Sequence, residues 1–182
     1  MAKNSEAMAY NLSKINKQEL QFLAQVNDGY EYLSLVAQDG TMVNGNVYSF
    51  MNKAQREGDN VVVLYRVVEK KFKKLDKSLV ASDGYRLEYV PCVLSLEDGR
   101  ELYLSETMDE YVHLKGNCIQ VTSRSRYNGT AILALDGTEV ARSATAPYEN
   151  DNYLFIINGS LYGKDTHITV IPKADPKAKI EY

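Results

Sequence analysis

The sequence predicts a mainly β protein: an antiparallel β-sandwich or jelly-roll-like region over residues 83–182, preceded by a smaller mixed α+β part over residues 1–82. Three observations predict it. Eight of the 11 glycines directly follow Asp or Asn, the pairing that best tolerates the positive φ of tight hairpin turns. The segments between these pairs are short and rich in Val, Ile, Leu, Thr and Tyr, which suits consecutive antiparallel strands. Helical spacing and capping signals are confined to the first 80 residues.

The elements follow in chain order. Asn16 and Glu19 form a capping box, with Ile15 and Leu20 at the positions of a hydrophobic staple. Leu20, Phe22, Leu23 and Val26 continue an apolar face and Gly29 stands past its end, so a helix is expected over about 17–27. A hairpin follows, from Tyr30 to Ala37 and back to Tyr48, then a short helix ending before Gly58. Residues 60–68, NVVVLYRVV, are apolar on both faces and predict a central strand. After them Val68, Phe72, Leu75 and Leu79 recur at spacings of four, three and four, which favours a basic amphipathic helix over a continued strand.

Ser82-Asp83-Gly84 is the expected joint between the two parts. Beyond it stand three hairpins: Glu88 to Thr107 around Asp98-Gly99, residues 131–142 around a two-residue turn at Asp136-Gly137, and Tyr153 to Tyr162 around Asn158-Gly159. A further strand begins at His167. The tail, PKADPKAKIEY, reads as an extended loop that would be mobile in isolation.

Composition narrows the function classes. At 45% hydrophobic and 25% charged residues the chain should fold around a packed core. A net charge of -3 disfavours a dedicated nucleic-acid binder. The beginning of the chain has no apolar signal region, and the longest apolar run, Val61 to Tyr65, is too short to span a membrane. A cytoplasmic protein, or a virion component if viral, is expected, with no membrane partner. Cys92 and Cys118 lack metal-site spacing and predict two buried, reduced thiols.

Chemistry-bearing residues are sparse. His113 and His167 sit in strand-like stretches without a nucleophile motif, so half-exposed strand positions are the preferred reading. Glu97, Asp98, Glu101, Glu106, Asp109 and Glu110 cluster. A carboxylate pair could serve glycoside hydrolysis, and Asp109, Glu110 and His113 could ligate a metal, yet the spacing fits no such motif and a solvated acidic face is preferred. Glu149 to Asn152 could offer oxygen ligands to calcium but lacks the EF-hand pattern, and reads better as a polar loop. No catalytic, cofactor-binding or metal residue is assigned, and no cofactor is expected.

Charge segregation suggests contact surfaces instead. Lys70, Lys71, Lys73, Lys74 and Lys77 form a basic segment, and Glu101, Glu106, Asp109 and Glu110 a complementary acidic one. Projected from opposite sides of the fold, they could join copies head to tail. The 14 tyrosines suit protein interfaces or sugar-binding surfaces, because a Tyr ring can be buried while its hydroxyl stays wet.

The stretches YNGTAILALDGTEVARS and NDNYLFIINGSLYG, behind a short helical beginning, resemble the small virion proteins of tailed bacteriophages: capsid decoration, head-fibre or tail accessory subunits. The resemblance covers residues 85–172 and contains no diagnostic motif. It implies a structural role in a symmetric particle, with copies of itself and neighbouring structural proteins as partners and no active site. A β-sandwich module for carbohydrate recognition is the alternative from a different class.

Overall fold

The computed structural model describes residues 7–11, 20–27, 30–49, 55–56, 61–71, 85–124, 129–159 and 165–182. Among them the chain is built of antiparallel strands, with no α-helix. The first sheet contains β1 (Ala7–Asn11), β2 (Gln21–Asn27), β3 (Tyr30–Val36), β4 (Met42–Ser49), β6 (Val61–Lys71), β7 (Tyr85–Ser95) and β8 (Glu101–Leu104) in that order, and β5 (Gln55–Arg56) pairs with β6. The second runs β12 (Glu139–Ser143), β11 (Thr130–Ala134), β10 (Cys118–Ser123), β9 (Glu110–Lys115). The third runs β13 (Tyr148–Glu149), β14 (Tyr153–Asn158), β15 (His167–Pro172), β16 (Ile180–Glu181). Apart from β5, hydrogen-bonded neighbours are consecutive in the chain. These are meanders, without the crossing connections of a jelly roll.

The helix expected over about 17–27 is not formed: Gln21–Asn27 is a strand paired residue for residue with Tyr30–Val36. Phe22 and Ala24 are buried and Leu23 between them is only half-buried, a period of two. Phe22 stands opposite Leu35 and Ala24 opposite Leu33, so long-range pairing outweighs the local capping signal. The cap itself, residues 16–19, lies outside the described residues, as does most of the basic stretch expected as a helix. The strand expected at 60–68 is present as β6 and extends to Lys71. Strands from either side of the expected joint pair within the first sheet, β6 with β7 from Val61–Ser95 to Lys71–Tyr85.

The turns depart from the expected two-residue form. At Asp136-Gly137 the Ala134 amide donates to the Thr138 carbonyl at 2.9 Å, and the Gly137 amide to the Ala134 carbonyl at 2.9 Å. This is a three-residue loop, with Gly137 at φ +85° in the bulge position. Ala37 and Thr41 close the same loop around Gly40. In both, and at Asp98, the Asp carboxylate accepts the amide hydrogen two residues on. β14 pairs with His167–Pro172, and the return arm expected at 160–162 lies outside the described residues. The tail is tied down: β16 pairs with β15, and Ile168 and Tyr182 exchange both backbone hydrogen bonds.

Three apolar clusters hold the sheets. The first is enclosed by one face of the first sheet and includes Phe22, Leu35, Tyr48, Leu64, Cys92 and Leu94. The second lies between the opposite face, with Val63 and Val93, and the second sheet, with Val112, Ile119, Val121 and Leu133. The third lies between the other face of the second sheet, Cys118, Ile132 and Val140, and the third sheet, Leu154, Ile156 and Ile171. Every residue of β11 is buried, because this strand is covered on both faces.

Candidate functional site

Strand alternation decides what the third sheet shows to solvent. In β14, Leu154 and Ile156 point inward, so Tyr153, Phe155 and Ile157 point outward. Register then assembles a row across all four strands: Tyr148, Phe155, Val170, Ile180. Tyr153 and Pro172 flank it on one side, and Ile157, Ile168 and Tyr182 on the other. All nine side chains are apolar or aromatic, and none carries a charge. Tyr148 is 67% exposed, Ile180 52% and Tyr182 72%, and the Tyr153 and Phe155 rings lie 6.3 Å apart. Contiguous exposed apolar surface of this kind makes the face a candidate docking surface.

The signal was present in the sequence. YLFII is apolar at five successive positions, which in an outer sheet leaves an apolar outer face.

Beside this face a shallow cleft of about 590 Å3 is lined by Gly116, Asn117, Asp151, Asn152, Tyr153 and Lys173. Its floor is backbone-tied: the Asn117 amide donates to the Lys173 carbonyl, and the Lys173 amide to the Asn152 carbonyl, both at 2.8 Å. Glu149 accepts from Lys115 at 2.7 Å and from Lys173 at 2.9 Å, joining the second and third sheets. These two ammonium groups, Lys115 foremost, hold the Glu149 carboxyl below the ordinary carboxylate range. Asn150 Oδ1 accepts the amide hydrogens of Asn152 and Tyr153 at 3.0 and 2.8 Å. The polar loop considered for calcium is thus held by turn chemistry.

The acidic residues grouped in the sequence do not share one face. A bulge between Val93 and Leu94 in the register with β8 sets Glu101 opposite Leu94 and Tyr103 opposite Val93, on opposite faces of the sheet. Glu101 is engaged by Asn46, Tyr48 and Arg66. Glu110 accepts from Tyr103 at 2.8 Å and from Ser105 at 2.5 Å. Glu106 and Asp109 are exposed in the turn between β8 and β9. The four therefore form no single face. Lys70 and Lys71 end β6, while Lys73, Lys74 and Lys77 lie outside the described residues. His113 is half-buried in β9 and His167 exposed at the start of β15. Among the described residues no group of three or more His, Cys, Asp or Glu side chains could hold a metal ion, and no helix is long and apolar enough to cross a membrane.

Compared with known protein families and with curated proteins, the chain matches none.

Proposed function

We propose that this chain is a non-enzymatic assembly protein that docks on protein neighbours through the outer face of its third sheet. One observation carries the reading: nine uncharged apolar side chains gathered on one exposed four-stranded face. An interface centre is typically depleted of charge and enriched in tyrosine, and this face is both. In this reading the layers form an antiparallel sandwich whose first sheet draws on strands before residue 83 as well as after it, and whose third sheet presents the docking plate. A virion subunit, as the phage resemblance implies, is the setting that fits it best, with neighbouring structural proteins as partners.

The test is light scattering and negative-stain microscopy of the purified chain, compared with the double variant Tyr148→Asp/Ile180→Asp. Both side chains are largely exposed, so the fold should survive the change. Assemblies that disperse in the variant support the reading. Assemblies indifferent to it, or none at any concentration, overturn it.

The cleft beside Tyr153 favours a second reading, carbohydrate recognition. An exposed Tyr ring next to the Asp151 carboxylate and the Asn152 amide offers a stacking surface with acceptors and a donor for sugar hydroxyls. Glycan-array binding abolished by Tyr153→Ala and Asp151→Ala supports it, and an array without hits removes it.

A further inference from the structure

We infer, resting on the assembly reading above, that the occupant of this face is a second copy of the chain, packed face to face about a two-fold axis.

Area is the first argument. The five most exposed side chains of the face present roughly 540 Å2, at about 200 Å2 for a fully exposed large side chain, before its half-buried members are added. A stable interface buries about 800 Å2 on each partner, which this plate and its rim can supply.

Self-complementarity is the second. A two-fold contact sets a surface against itself, so any charge near its centre would meet a like charge. The central cross-strand pair here is Phe155 and Val170, and no charged side chain stands in the rows around it. Sheets with apolar faces stack about 10 Å apart with interdigitated side chains, and apolar clusters already join the sheets of this molecule.

The alternatives are weaker. Addition of a strand at either edge of the third sheet would meet β13 or β16, each two residues long, and short edge strands template little pairing. Head-to-tail docking of the basic on the acidic segment would need Glu101 and Glu110, which are engaged within the molecule and held on different faces.

Symmetry gives the test its sharp form. An isologous pair closes at two chains, whereas a heterologous contact that does not close keeps adding copies. Mass is measured against concentration by sedimentation equilibrium. In parallel, Val170→Cys is labelled with a thiol reagent, with Phe155→Cys as the neighbouring probe should the first disturb folding. The native thiols of Cys92 and Cys118 are buried and leave the background low. The expected result is a plateau at two chain masses and labelling at least tenfold slower in the dimer. Met42→Cys, 53% exposed on the first sheet, should label equally fast at all concentrations. Tyr148→Asp/Ile180→Asp should restore one chain mass and fast labelling.

A single chain mass throughout overturns the inference. So does a plateau at two with Val170→Cys unprotected, which places the contact elsewhere. Mass climbing beyond two while Val170→Cys is protected also overturns the two-fold pair, but leaves the assembly reading standing.

Discussion

The Tyr48 hydroxyl lies 3.0 Å from Oε1 of Glu101, across 53 residues of chain. The same carboxylate accepts from Asn46 and Arg66, each at 2.9 Å, and Asn44 donates to the Tyr48 oxygen at 3.0 Å. Asn44 also donates to the Gly99 carbonyl at 3.0 Å, so β4 is drawn against the turn between β7 and β8. This network holds the curl of the first sheet around its own core. Glu101→Ala leaves three donors without their acceptor and should cost about 2–3 kcal/mol, read from urea unfolding. Tyr48→Phe removes one hydroxyl from the same network and should cost about 1 kcal/mol.

Gly99 and Gly40 make a paired test of packing against backbone conformation. Both have positive φ, at +72° and +83°. A methyl group at Gly99 would collide with the Val43 side chain and lie 2.8 Å from Leu35, whereas at Gly40 it meets nothing within 4 Å. Gly40→Ala should cost about 1 kcal/mol, the left-handed penalty alone. Gly99→Ala should cost at least twice that, because the clash adds to the same penalty.

Acid should loosen one turn in a defined window. Lys177 and the Thr138 amide together hold the Asp136 carboxyl at about 2, against an ordinary 3.8. The native carboxylate takes up its proton less readily than the unfolded one, so this contribution is complete above pH 3.8 and lost as pH falls towards 2. Asp136→Asn keeps an acceptor for Thr138 but loses the ion pair. Its thermal midpoint should lie below that of the parent at neutral pH, and the gap should close by about pH 2. Added salt should narrow the gap at any pH, since the pair is exposed.

Thiol chemistry should report the integrity of two cores at once. Cys92 is buried in the first cluster and Cys118 in the third, and burial pushes the Cys92 thiol well above its ordinary range. Neither should react with a thiol reagent in the native protein, and both should react fully in denaturant. Reaction of Cys118 alone at intermediate denaturant would show that the third sheet opens before the first.

Strand content was readable because it rests on local chemistry. The Asx-Gly pairs mark real reversals at Gly40, Gly99 and Gly137, and NVVVLYRVV is a central strand as its two-sided apolarity demands. The segment from Gln21 to Asn27 misled, since Leu20, Phe22, Leu23 and Val26 satisfy a helical spacing while Phe22 and Ala24 satisfy a strand's. Only the partner strand, Tyr30–Val36, decides between them, and pairing is not a local property. Of the candidate docking face only the β14 run YLFII was legible, for a related reason. The nine members of the face come from four strands and the residue after the last, spread over 35 positions of sequence, and register unites them. The acidic cluster shows the converse: a single bulge parts Glu101 from Glu110 and its partner Tyr103.

The middle sheet, greasy on both sides, serves as a party wall. Stripping it away would leave Val93 on one side and Ile156 on the other facing water, so neither flanking layer makes a self-sufficient fragment. Deletions should therefore tend to succeed at the rim and fail in the middle, and a truncation ending before Cys118 should yield aggregate rather than a smaller folded protein.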